Sequence, residues 1–181
     1  MRLVGIREGR RVDVAVQIGD RVTPLAEVGD FYADLDHWLR QARRTETGLL
    51  PVSHVHLAPP VPPSARVVCI GLNYRAHAAE GGFTPPEHPT VFGRWVASLT
   101  AGGTPAPVPA GEPGLDWEGE VAAVVGRRLT DADQASAAAA VLGYAAFNDL
   151  TARTAQKLTV PAPGLAVYTP SAHPGARLPH T

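Results

Sequence analysis

The sequence has one cysteine, Cys69, in 181 residues. A disulfide framework within the chain is therefore impossible. No stretch approaches the roughly 18 apolar residues of a membrane span. The opening Met1-Arg2-Leu3-Val4-Gly5-Ile6-Arg7-Glu8 meets charge too soon for the apolar centre of a signal peptide. These absences together point to the reducing cytoplasm. An excess of charge is missing as well: the formal net charge is -1, and the pairs Arg10-Arg11, Arg43-Arg44 and Arg127-Arg128 are scattered. Nucleic acid and anionic membrane surfaces are accordingly not expected as partners. Acidic residues are missing from one region only. All 17 lie at or before Asp149, and five of the 18 prolines crowd between Pro161 and Pro179.

What is present is 45% hydrophobic residues, enough for the core of one domain with a small appendage. Leu3, Val4 and Ile6, a turn at Glu8-Gly9-Arg10, then Val12, Val14, Val16 and Ile18 at period two predict a hairpin with one buried face. Phe31, Leu35, Trp38 and Leu39 predict one helix over 30–44, capped by Asp30. The stretch Leu57-Ala-Pro-Pro-Val-Pro-Pro63 reads as a stiff linker, dividing an appendage (1–58) and linker (59–65) from a second unit starting at residue 66. There, 66–70 is expected as a buried strand, 75–80 as a short helix, 91–95 and 117–125 as strands, an Ala-rich helix as starting from the capping-box variant Thr130-Asp-Ala-Asp133, and 144–147 as a last strand.

The most informative cluster is Asp116-Trp-Glu-Gly-Glu120. Side chains alternate along a strand, so Glu118 and Glu120 share a face, where two like charges beside the apolar run 121–125 repel unless neutralised. A hard cation such as Mg2+, Mn2+ or Ca2+ does this through oxygen ligands, and zinc-type His and Cys ligands are absent nearby. A strand start with solvated acids fits the same motif. Asp149, ending an apolar strand, would complete a three-carboxylate site, although an Asn-Asp pair after a strand is also a common turn. His77 and Glu80 lie three apart on one helix face, an arrangement suited to a general base and equally met on plain helix surfaces. Arg94 could bind a substrate carboxylate bidentately or simply snorkel. Cys69, inside an apolar strand, reads as core, and His54 and His56 read as packing or surface.

The segments Cys69-Ile-Gly-Leu-Asn-Tyr-Arg-Ala-His-Ala-Ala-Glu80, Pro89-Thr-Val-Phe-Gly-Arg94, Asp116-Trp-Glu-Gly-Glu120 and Gly143-Tyr-Ala-Ala-Phe-Asn-Asp-Leu-Thr-Ala-Arg153 occur in an order and spacing that resembles the fumarylacetoacetate hydrolase family over about residues 66–156. The resemblance implies an α+β, mostly β chain: a mixed β-sandwich roll, here incomplete, behind a small N-terminal α/β appendage. It implies a dimer that uses Mg2+, Mn2+ or Ca2+ on small β-diketo or 2-oxo acids. Carried over, Glu118, Glu120 and Asp149 match metal ligands, His77 and Glu80 a water-activating dyad, and Tyr74 and Arg94 substrate contacts. Hydrolysis or lysis of a carbon–carbon bond is the expected reaction. Isomerisation, decarboxylation, hydration and an inactive fragment are the alternatives.

After Gln156 the motifs stop. The tail 157–181 shows no strand or helix period and is expected to be a disordered, proline-rich segment. With 15 Arg to one Lys over the whole chain, the coding DNA reads as GC-rich, and a shifted frame in such DNA yields text rich in Pro, Ala, Arg and His like that of the tail. The sequence alone thus leads to the expectation of a truncated family member.

Overall fold

The computed structural model describes residues 1–80, 82, 84, 87–158 and 176–178. The chain begins with three antiparallel strands, β1 (Arg2–Glu8), β2 (Arg11–Ile18) and β3 (Arg21–Glu27). Gly9 and Gly19, both at φ 59°, make the tight reversals between them, a conformation that costs glycine little. The expected hairpin is present, but the sheet is buried on both faces rather than one. Val14 joins Val28, Phe31 and Leu39 on the helical side, while Val4, Ala15 and Val22 pack with Val52, Val55 and Leu57 on the other. The strands β4 (Leu50–Pro51) and β5 (His56–Ala58), joined through a short 3-10 turn, pair with β3 and β1 and extend the sheet at its two edges, giving the order β4-β3-β2-β1-β5. His54 falls in the turn and His56 in the strand, so the two do not share a strand face.

The single helix expected over 30–44 is two, α1 (Val28–Ala33) and α2 (Leu35–Arg44). Asp34, at φ -133° and ψ 62°, leaves the helical region and breaks the run. Asp30 is therefore not the cap. Glu27 accepts from the Gly29 amide (2.7 Å), and Asp34 caps α2 by accepting from the His37 amide (3.2 Å). Residues 59–66 form no helix or strand. They are pinned by the Tyr32 hydroxyl, which donates to the Pro60 carbonyl (2.9 Å) and whose burial pushes its pKa up to about 12.

Beyond this point β6 (Val67–Gly71), α3 (Arg75–Glu80) and β7 (Thr90–Arg94) form a unit in which β6 and β7 pair antiparallel. The strand at β6 was expected to be buried. Val68 and Ile70 instead remain exposed, because among the described residues no layer covers that face. The last elements are β8 (Leu99–Ala101), β9 (Gly119–Val125), α4 (Gln134–Ala139), β10 (Val141–Asn148), α5 (Arg153–Leu158) and β11 (Ala176–Leu178). Their sheet runs β8-β11-β10-β9. In α4 the cap is Asp133, which accepts from the Ser136 amide (2.7 Å), three residues later than the capping-box reading placed it. The strand β11 lies in the stretch expected to lack regular structure. It is defined by pairing to β8 and β10, which no side-chain period announces. The rest of that tail lies outside the described residues. The chain is thus mostly β, with short helices on the first sheet.

The two parts pack directly. Gly126, just after β9, is where Leu35 of α2 meets Leu142 of β10: a Cβ there would stand 3.0 Å from the Leu142 Cβ and 3.2 Å from the Leu35 Cδ2. Nearby, a cavity of about 200 Å3 lies between the first sheet and β9–β10, lined by Leu3, Phe31, Tyr32, Val124, Leu142 and Tyr144. Gly126→Val should overpack this junction and cost about 1–3 kcal/mol, seen as a lower urea midpoint.

Candidate metal centre

The antiparallel register of β9 and β10 builds the acidic site. Phe147 stands opposite Glu120 and Asn148 opposite Gly119, so Asp149 arrives beside Glu118 as β10 ends. Two bonds fix that meeting. The Asp149 amide donates to the Glu118 carbonyl (2.9 Å), and the Glu118 amide donates to Asn148 Oδ1 (3.0 Å). As a result Glu118, Glu120 and Asp149 each offer a carboxylate oxygen, and these oxygens lie within 4.8 Å of one another. Oxygens on opposite sides of a hard cation, each about 2.0–2.6 Å from it, stand roughly 4–5 Å apart, so the donor set fits such an ion in both chemistry and span.

Burial makes the cluster costly without a cation. Asp149 is 3% exposed, and its carboxyl is held above its usual pKa. Desolvation is the main cause, opposed by the Arg94 guanidinium and reinforced by Glu118. A raised carboxyl pKa means that protonation favours the folded state. Ionised Asp149 therefore weighs against folding at neutral pH, and that burden eases as the pH falls toward its raised pKa or when positive charge is supplied. Two arginines supply some. Arg94, at the end of β7, pairs with Asp149 through its Nη2. Arg153, at the start of α5, bonds Asp116 Oδ2 through Nε (2.7 Å), Gln156 Oε1 through Nη1 (3.0 Å) and Glu118 Oε1 through Nη2.

Of the site residues expected from sequence, the structure brings Glu118, Glu120, Asp149 and Arg94 together. Tyr74 stands nearby: its hydroxyl accepts from the Val121 amide (3.3 Å), next to Glu120 on the outer edge of β9. Glu80 is exposed at the end of α3. The His77 backbone lies in α3, but its side chain, and so its pairing with Glu80, lies outside the described residues. Cys69 was expected in the core. It is only half-buried and lies close enough to the site for its thiol pKa to be pushed up by desolvation and then by Asp149, with an Arg94 hydrogen bond acting in the opposite sense. Sequence reasoning placed Asp116 in the acidic cluster without a role and missed Arg153 and Glu112 as parts of the array. The signal available for Arg153 was its place four residues after Asp149, at the start of α5. Glu112 gives none, since it reaches across the chain to cap α5, accepting from the amides of Thr154 (3.0 Å) and Ala155 (3.2 Å).

A family model described as the fumarylacetoacetate (FAA) hydrolase C-terminal domain matches residues 66–169, more than half of the chain. The chain belongs to this family. The match continues past Gln156, so the resemblance reaches into the stretch where the motifs alone end. A Burkholderia cenocepacia protein named as a candidate hydrolase is 40% identical over 88 residues, 49% of this chain and 31% of that protein. The crystal structure of a candidate HpcE protein from Mycobacterium smegmatis is 28% identical with a TM-score of 0.79, covering 100% of this chain and 64% of the other. Maleylpyruvate hydrolase from Sphingobium sp. SYK-6, solved with manganese(II) and pyruvate, shares the fold at 20% identity and a TM-score of 0.72, over 100% of this chain and 65% of that one. The chain thus spans about two thirds of its solved relatives and under one third of the curated one. No helix among the described residues is long and apolar enough to cross a membrane.

Glu112→Ala removes the cap on α5 and should cost about 1 kcal/mol, read as a lower denaturation midpoint with an unchanged slope.

Proposed function

We propose that this chain carries the catalytic face of a divalent-metal-dependent hydrolase or lyase that cuts a carbon–carbon bond in small β-diketo or 2-oxo acids, such as acylpyruvates. One observation carries the reading. Four carboxylates, those of Asp116, Glu118, Glu120 and Asp149, are gathered against two guanidiniums, those of Arg94 and Arg153. The excess of two negative charges matches one divalent cation. Family membership, and manganese bound in the Sphingobium relative, support the same choice of ion class.

Glu118, Glu120 and Asp149 are the holders of Mg2+, Mn2+ or Ca2+, which when bound polarises the substrate's keto and enol oxygens and stabilises the charge that builds on them. Arg94 and Tyr74 orient the acid group of the substrate. His77 takes a proton from water at a ring nitrogen, with Glu80 orienting the imidazole and stabilising its charged form. The water oxygen bonds to the carbonyl carbon distal to the acid group. That carbon then re-forms a carbonyl, now of a carboxylic acid product, as the adjacent carbon–carbon bond breaks with its electron pair going to the carbon of the oxo-acid fragment, and His77 gives its proton to the latter carbon. Arg153 keeps Glu118 and Asp116 in place meanwhile.

The first test is thermal melting of the purified chain with Mn2+. At about one hundred times the dissociation constant the folded state should gain about 2.7 kcal/mol, and Glu118→Ala and Glu120→Ala should each abolish the gain. A melt indifferent to Mn2+ in the wild-type chain would sink the reading. A second test is on chemistry: His77→Ala should keep the Mn2+ shift while lowering acylpyruvate turnover by about 10^2 to 10^4.

A further inference from the structure

The two guanidiniums at the acidic site differ in a way that assigns them different roles. The Arg153 side chain is 33% exposed and its partners Asp116 and Glu118 are 47% and 21% exposed, so water can screen each of them if the pairing breaks. Arg94 and Asp149 are only 6% and 4% exposed. Water reaches neither of them well, so each depends on a charged partner, and a buried charge left with none is strongly destabilising. Arg94 is held in place at the end of β7 by the β6–β7 ladder, where it stands opposite Val67, so its guanidinium comes from a different sheet from the one that carries the three acids. The carboxylate it pairs with is also the most buried of those three. An ion drawn by Glu118, Glu120 and Asp149 would put a second cation on a carboxylate already held by Arg94, and like charges a few ångströms apart in a poorly solvated site repel.

We propose that Arg94 is the resident counter-cation of Asp149 in the metal-free protein and is displaced from it when a divalent ion binds. Ion uptake and release of the guanidinium are then one linked event. This rests on the metal-centre reading above and adds an order to it: the ion replaces the guanidinium on Asp149, and the displaced guanidinium takes an anion, the acid group of a substrate when one is bound, as its next partner. Arg94 can therefore both pair with Asp149 and serve a substrate, because the two roles belong to different states.

The test uses the whole chain, with bound Mn2+ counted by the loss of the free-ion EPR signal and stability followed by melting. Arg94→Gln removes the competing charge. Its metal-free midpoint should fall by about 4 °C, its Mn2+ affinity should tighten by on the order of tenfold, and its Mn2+-saturated midpoint should return to that of the wild-type chain. Arg94→Lys, which keeps the charge, should stay within about threefold of wild-type affinity. Unchanged or weaker Mn2+ binding by Arg94→Gln would overturn the exchange, since it would mean that guanidinium and ion hold Asp149 together. Should Arg94→Gln fail to fold alone, refolding in Mn2+ supports the proposal, and failure to refold there while Arg94→Lys folds overturns it. Absence of Mn2+ binding by the wild-type chain would remove the metal centre itself, and the exchange with it, a result distinct from all of these.

Discussion

Negative charge gathered where two strands end is the constraint around which the second half of this chain is arranged. The antiparallel β9–β10 register places Asp149 against Glu118 whether or not the electrostatics are favourable, because main-chain bonds and an asparagine side chain fix the meeting. Two arginines then reduce the penalty. Arg94 comes from the β6–β7 sheet, and Arg153 comes from the helix that follows the last acid. Glu112 reaches from the loop before β9 to steady that helix. Three separate segments thus converge on one electrostatic problem, and through the Arg94–Asp149 pair that convergence joins the β6–β7 unit to the β9–β10 pair. Val68, Ile70, Val91 and Phe92 of that unit are all exposed.

How much of this was legible in the sequence depends on the range of the interaction. Glu118 and Glu120 were readable from strand alternation, and Asp149 from its place at a strand end. The four motifs carried the family. The break between α1 and α2 was not readable, because the apolar spacing of Phe31, Leu35, Trp38 and Leu39 continues across Asp34 as though the helix did. Strand β3 was hidden by Pro24, which the sheet tolerates because it pairs with Ala15 beside the β-bulge at Val14/Ala15. The pairing of Arg94 with Asp149 joins residues 55 apart in sequence, and no local period encodes such a contact. For the same reason the second buried face of the first sheet escaped notice, since Val52, Val55 and Leu57 reach it only through the segment that runs from β4 to β5.

Cys69 shows how a residue type can mislead. Inside Val67-Val-Cys-Ile-Gly71 a cysteine reads as a small hydrophobe, yet the half-covered β6–β7 sheet places its thiol near Arg94 and Asp149. The chain around it was read correctly as a strand, and the error lay in supposing that an apolar strand must be enclosed.

The contact of Leu35 with Gly126 and Leu142 has a consequence for how this chain can vary. A proline-rich connection usually suggests interchangeable modules that can be shuffled between proteins. Here the appendage is seated on the end of the sheet opposite the acids, in a notch that only a residue without a side chain leaves open. Any lineage that exchanged the front piece would have to change positions 35, 126 and 142 together, so the two pieces are expected to be inherited as a unit rather than recombined at the linker.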